Sequence, residues 1–482
     1  MSARSLWLLV PGILYLLSLN AYYVGFFNDD AFFLIGAKSL ISGSYSELNH
    51  PGHPPFIQYL PGYPLLLAPW MIFAGKNFLG PQLFSVLMTL GSVFLFYRFV
   101  REELPPISAA AATALLALNP LTVSMSGVIL SDIPALLWTV IMLTTARAWW
   151  DRDDDKTWTL LGLMAAFGFL LRPTGAAFVL ALPLALVSER RLRPALIALT
   201  AGTLPILAWL TRNYALRGHG LVVAGELADP YKKITADVFV GIFSNAWFYT
   251  RELFGRVLFR QPLPMFSAAL GACLCGIGIL RVSTGGWRRF ALAYSSAYAI
   301  VILLWPKQTT RYLLPLLPFI LWWLFAGAVR LEKYLKKPGI LSGILLAAGL
   351  TCAALPVSNI VRTSLTLKTP LNTPPRGLLS WIETNTKATD VFAAELDGRL
   401  YLLTGRYCRQ LPRWRDIRKL GAWAKQHQVN YVLTTSNRFL MRTHKGAGAH
   451  DPVDYQRLDH HLPDAFSLAY SDKNAQLYRI LP

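Results

Sequence analysis

The residues of this chain best able to do chemistry are the few charges placed beside long apolar runs. Charge at a membrane face is costly to keep, so such groups are functional candidates by default. Asp29 and Asp30 follow the apolar run 6–27 directly and lead into Ala31-Phe32-Phe33-Leu34. Consecutive helix residues diverge by about 100°, so one carboxylate can face a bundle while the other faces the support behind it. A carboxylate held this way can act as general base toward a hydroxyl. The plainer reading is a helix cap, a position that Asp favours. Asp132, in Ser131-Asp132-Ile133-Pro134, carries the same two readings, with Pro134 inside the first turn. Arg172, in Leu171-Arg172-Pro173-Thr174-Gly175, and Arg311, ahead of Tyr312-Leu313-Leu314-Pro315, are the cationic counterparts. Guanidinium groups suit a phosphate, which they grip through paired hydrogen bonds; as single residues they read equally as snorkelling anchors. Taken together, carboxylates and arginines at one level of one face predict a site.

The elements that must position these residues are apolar. The 482 residues are 54% hydrophobic and only 15% charged, with mean hydropathy +0.40, whereas soluble chains are about a quarter charged. That balance excludes a soluble globular protein, and it excludes low-complexity disorder and collagen as well. Charged residues occupy 44 of the first 356 positions and 28 of the last 126, which separates a membrane domain (1–356) from a water-soluble one (357–482). The formal charge of +20 sits largely in short loops between apolar runs, where membrane topology accounts for it. No basic stripe or reading motif points to nucleic acid. The four cysteines form no even framework, so no disulfide-stapled fold is expected.

Apolar runs near 6–27, 80–100, 106–124, 131–149, 158–171, 173–187, 195–211, 263–281, 290–305, 312–329 and 340–356 predict about eleven spans. Placing the N-terminus inside puts 16 of the 28 basic residues of 1–356 into inside loops, as the positive-inside rule requires. The stretch 158–187 has inside-type charge on both flanks, so it must cross an even number of times. Two short spans turning at Arg172-Pro173 satisfy that, and residues 357–482 are then outside.

Two other outside segments are long. Residues 28–79 hold His50-Pro51, His53-Pro54-Pro55 and Pro61-Gly62-Tyr63-Pro64, and a loop of that length usually carries function. Residues 212–262 read as a second large loop. In the tail, Gly377–Asn385 and Trp414–Gln428 read as helices, and Val391–Ala394, Tyr431–Thr434 and Leu477–Leu481 as strands. Such alternation predicts a small α/β domain.

These residues carry a resemblance. Asn28-Asp29-Asp30-Ala31-Phe32 ahead of a proline-rich loop ending Pro61-Gly62-Tyr63-Pro64-Leu65-Leu66-Leu67-Ala68-Pro69 resembles the start of bacterial members of the protein O-mannosyltransferase and aminoarabinose-transferase superfamily. Those proteins are integral-membrane glycosyltransferases of the GT-C fold, family 39. Leu171-Arg172-Pro173-Thr174-Gly175, Thr310-Arg311-Tyr312-Leu313-Leu314-Pro315 and Leu403-Thr404-Gly405-Arg406 continue the likeness in order. The resemblance implies a polytopic α-helical membrane protein with a small C-terminal α/β periplasmic domain. It also implies transfer of a sugar from a polyprenyl-phosphate donor to a lipid, glycan or protein hydroxyl at the periplasmic face of the inner membrane. Asp29 then matches the presumed base, Asp30 the second acid, and Asp132 a further acidic position. Arg172 and Arg311 fall where the lipid phosphate is held. Some relatives have a lysine before paired prolines in the first loop; here the chain departs from them with His53-Pro54-Pro55, and His53 stands at the position of that phosphate contact. The tail lacks the carbohydrate-binding modules of eukaryotic relatives. No cofactor is expected. Asp29 and Asp30 with His50 or His53 could bind a divalent ion, but the histidine spacing matches no established ligand pattern. A transporter or flippase of lipid-linked glycans is the alternative, which would want polar residues and broken helices near the midplane.

Overall fold

The computed structural model describes residues 7–72, 78–152, 154–217, 236–258, 264–282, 285–366, 375–412, 418–435, 457–473 and 475–481. It divides into two compact units. One comprises 1–19, 60–63 and 82–362; the other comprises 20–59, 64–81 and 363–482. The segment 28–79 therefore supplies most of its residues to the unit that contains the tail.

Helices occupy every apolar run of the first unit. Among the described residues, four elements are long and apolar enough to cross a membrane: Leu79–Glu103, Leu192–Leu216, Thr310–Leu335 and Ile340–Thr366. Shorter ones include Pro106–Ala117, Asp132–Trp149, Asp155–Leu171, Ala176–Ser188 and Trp287–Leu304. The run 6–27 is helical only over Leu9–Leu17. Residues 212–262, read as a loop, hold a helix over Ala236–Glu252 and a π turn over Leu253–Leu258; residues 218–235 and 259–263 lie outside the described residues. That helix escaped the sequence reading because Gly241 and Ser244-Asn245 break its apolar residues into runs too short for a span.

The stretch 158–187 breaks where proline demands. Pro disfavours helical backbone at the residue before it, and Arg172 is extended at φ −160° and ψ 138°. A 3-10 turn over Pro173–Gly175 then reverses the chain into Ala176–Ser188. Elsewhere small residues bring helices together. A Cβ on Gly278 would lie 1.9 Å from the Trp323 carbonyl oxygen, and one on Gly327 would lie 2.0 Å from that of Leu274. The helices Pro264–Val282 and Leu317–Leu335 thus touch backbone to backbone, as small residues allow between membrane helices.

In the second unit, strands β1 (Val391–Ala394), β2 (Tyr407–Gln410), β3 (Tyr431–Thr435), β4 (Phe466–Ser471) and β5 (Ala475–Ile480) form one sheet of order β2-β1-β3-β5-β4. β1 pairs parallel with β2 and β3, whereas β5 pairs antiparallel with β3 and β4. Strand side chains alternate faces. Phe392 and Ala394 accordingly pack with Leu378, Ile382 and Leu400 on one side, while Val391 and Ala393 pack with Leu420, Phe466 and Tyr478 on the other. Helices Arg376–Asn385, Asp397–Thr404 and Arg418–Gln426 supply Leu378, Ile382, Leu400 and Leu420, and β4 and β5 supply Phe466 and Tyr478. The start of the Trp414–Gln428 reading, residues 414–417, lies outside the described residues. Within 28–79, helices Asp29–Ile41 and Gly62–Ile72 are present. The Asn49 carbonyl accepts from the Cys408 amide at 2.8 Å, and its side chain donates to the Cys408 carbonyl at 3.3 Å, so this segment extends the β2 edge.

The Gly278–Gly327 crossing predicts that Gly327→Leu costs more than the ~1–3 kcal/mol of ordinary overpacking, because backbone cannot yield as a side chain can. Thermal unfolding in detergent is the measurement. A melting temperature equal to wild type would mean that the two helices do not pack through these glycines.

Candidate active site

The Asp29–Ile41 helix opens on the two acids, and its cap position belongs to Asn28, which adopts φ 64°. The two carboxylates diverge as helical geometry requires. Asp29 is half-exposed and accepts a hydrogen bond from the Tyr59 hydroxyl at 2.8 Å. Phe32 stacks on Tyr59, with ring centroids 5.4 Å apart, which holds that donor in place. Asp30 is only 2% exposed, and its Oδ2 accepts from the Gly25 amide at 2.5 Å. Burial pushes the Asp30 carboxyl up to about 7; the Gly25 amide and Arg399 oppose the rise and neighbouring Asp29 adds to it. Asn28 Nδ2 donates to Asp397 Oδ1 at 2.9 Å. The buried Arg399 guanidinium lies 3.9 Å from the centroid of the Tyr23 ring.

His53 belongs to this same unit. It sits exposed at φ 45° with its ring facing Tyr407, Nε2 to Oη 3.4 Å. His50 engages Glu47 at 2.6 Å. Among the described residues no three His, Cys, Asp or Glu side chains converge closely enough to hold a metal ion.

Asp132, Arg172 and Arg311 gather in the other unit. Asp132 opens the helix Asp132–Trp149 behind Ser131 at the cap position, and it is 1% exposed. Its Oδ1 accepts from Arg172 Nη1, and Arg311 Nη1 lies 3.7 Å from Oδ2. Both guanidinium groups lie over the Tyr312 ring, at 4.8 and 5.8 Å. The Tyr298 hydroxyl donates to the Tyr312 carbonyl at 3.0 Å, which fixes the 3-10 turn Thr310–Leu316. Thr310 donates to the buried Glu252 at 3.3 Å. Asp132 is thus grouped with the arginines, and Asp29 and Asp30 with the tail.

Sequence reasoning missed Tyr59, Arg399, Asp397, Tyr312 and Glu252. Tyr312 adjoins a named arginine and could have been found. Glu252 was hidden by the loop reading of 212–262. Nothing local marks Arg399 or Asp397, whose partners lie some 370 residues away.

Asp30 supports a pH prediction. An acid raised by the fold keeps its proton in the folded chain while the unfolded chain, near 3.8, has released it. Stability therefore falls as pH rises from about 4 through about 7 and is flat above. Asp30→Asn retains an acceptor for Gly25 and removes that slope. Its melting temperature relative to wild type should rise by several degrees between pH 5 and pH 8. Parallel curves would show that Asp30 is ionised throughout.

The family profile of dolichyl-phosphate-mannose-protein mannosyltransferase matches residues 52–211. No curated protein matches the sequence. The fold is similar to that of ArnT from Cupriavidus metallidurans bound to undecaprenyl phosphate, with TM-score 0.57 at 11% identity over 99% of this chain and 98% of that one. It is also similar to the Archaeoglobus fulgidus oligosaccharyltransferase tethered with an acceptor peptide, with TM-score 0.51 at 14% identity over 89% of this chain and 69% of that one. The chain has the GT-C membrane fold seen in ArnT, and a third of it matches the mannosyltransferase profile.

Proposed function

We propose that this protein moves a sugar from a polyprenyl-phosphate carrier to a hydroxyl acceptor at the periplasmic face of the inner membrane. The observation that carries this reading is the Asp132–Arg172–Arg311 cluster. Two guanidinium groups converge on one buried carboxylate among apolar helices, with the buried Glu252 against the turn that carries Arg311. Charged groups kept beside apolar helices are functional candidates, and two neighbouring guanidinium groups suit the phosphate of a lipid-linked donor. Arginine is suited to it because the fork can grip two phosphate oxygens. The family profile, and a neighbour of like fold crystallised with undecaprenyl phosphate, support the same choice. The charge asymmetry of the loops supports the periplasmic side.

In this mechanism the acceptor oxygen attacks the sugar C1 and the C1–O bond to phosphate breaks. The electron pair stays with the phosphate, where Arg172 and Arg311 offset the charge it gains. The proton of the acceptor hydroxyl passes to Asp29, whose carboxylate Tyr59 orients. Asp132 holds the two arginines in place. Asp30, buried and bound to Gly25, fixes the helix start on which Asp29 is carried. Apolar surroundings limit competition from water. Lipid, glycan and protein acceptors all provide the hydroxyl this requires.

Two predictions test the assignment. Asp29→Asn removes the proton acceptor with almost no change in volume, so transfer should be abolished in a protein that still folds; full activity in the purified variant refutes the base. For the donor, Arg311 is the cleaner probe, because Arg172→Ala also strands the buried Asp132. A charge-assisted contact is worth roughly 1.5–3 kcal/mol, about ten- to hundredfold in affinity. Donor titration in nanodiscs should show that loss for Arg311→Ala and a smaller one for Arg311→Lys, which keeps charge but not the fork. Wild-type donor affinity in both would place the phosphate elsewhere.

A further inference from the structure

The tail segment Asp397-Gly398-Arg399 lies against the turn that leads into the helix carrying Asp29. Three contacts define it. Asp397 accepts the Asn28 side chain at 2.9 Å. Gly398 packs so closely that a Cβ there would meet the Ala31 Cβ at 3.0 Å. The Arg399 stem crosses Gly25, where an added Cβ would lie 2.7 Å from Arg399 Cβ and Cγ, and Gly25 itself holds φ +88°. Gly25 in turn donates to Asp30. Asp30, Asp397 and Arg399 are all buried, at 2, 1 and 4% exposure.

Burying two carboxylates and a guanidinium is an expensive way to hold a domain in place, since well-packed apolar residues often do as well. What charged, hydrogen-bonded groups add is direction. Asp29 and Asp30 are neighbours on one helical turn, so any rotation that moves Asp30 from its pocket turns Asp29 as well. Reaction geometry is sensitive to displacements of this size, because an error of about 1 Å can cost ~100-fold in rate.

We propose that Arg399, with Asp397, is a positioning residue for the transfer reaction. The tail domain grips the Gly25–Asp30 turn and thereby sets the direction in which Asp29 meets the acceptor. This rests on the reading of Asp29 as the base. It gives the C-terminal domain a part in turnover that donor binding does not share.

The experiment measures kcat and donor KM in nanodiscs. The donor is the radiolabelled undecaprenyl-phosphate sugar that wild type turns over fastest among hexose, amino-sugar and pentose forms; a detergent extract of envelope serves as acceptor. Arg399→Ala and Asp397→Ala should lower kcat about ten- to hundredfold with donor KM essentially unchanged. Arg399→Lys and Asp397→Asn should recover intermediate rates. Melting curves recorded alongside separate positioning from loss of fold. Where the alanine variants do not fold, the lysine and asparagine variants decide: reduced kcat at wild-type melting temperature supports the proposal. Wild-type kcat in the folded variants overturns it, as does a loss that merely follows melting temperature. If instead Asp29→Asn stays active, the base reading fails, which is a separate result.

Discussion

A guanidinium among apolar helices must find a carboxylate, and the pairing of Arg172 with Asp132 is the interaction on which the membrane unit turns. It joins the first residue of the helix Asp132–Trp149 to the break between Asp155–Leu171 and Ala176–Ser188. The break exists because Pro173 forces Arg172 out of helical backbone, and that same extended conformation frees its side chain to reach Asp132. Arg311 adds a second charge to one carboxylate, and Tyr312 presents its face to both arginines. Structural need and chemical use coincide here. The pair keeps Arg172 compatible with its surroundings, and in the proposed reaction the two guanidinium groups face the donor phosphate.

The second unit solves a different problem. Two adjacent acids at a helix start repel one another and compete for the same solvent. The fold separates them by environment, leaving Asp29 half-exposed against a tyrosine hydroxyl and burying Asp30 against a backbone amide. Neighbouring carboxylates whose environments differ this much acquire different affinities for protons. In the proposed reaction the proton goes to Asp29, and Asp30 belongs to the frame. Supplying that frame is work for the tail, whose sheet also takes the 28–79 segment onto its β2 edge. Membership of that segment in the tail's compact unit follows from hydrogen bonds and packing that no composition boundary records.

Much of the architecture was legible in the amino-acid sequence alone. Runs of apolar residues announce helices because an apolar solvent leaves backbone groups no other partner. Pro173 announces the turn in 158–187, and β1, β3 and β5 appear as short apolar runs between helical stretches. Asp29, Asp30, Asp132, Arg172 and Arg311 stood out for one reason: each is a charge at the end of an apolar element. Tertiary structure alone decided how these charges are partnered. In the sequence Asp132 reads as a functional acid or a helix cap, and only the packed structure shows Arg172, 40 residues on, bound to it. Arg399 has no signal at all, because its role depends on a turn nearly the whole chain away. Periodicity along a chain reports which face of one element is buried. Which charge meets which across elements is set by distances in space, and those exist only once the helices have packed.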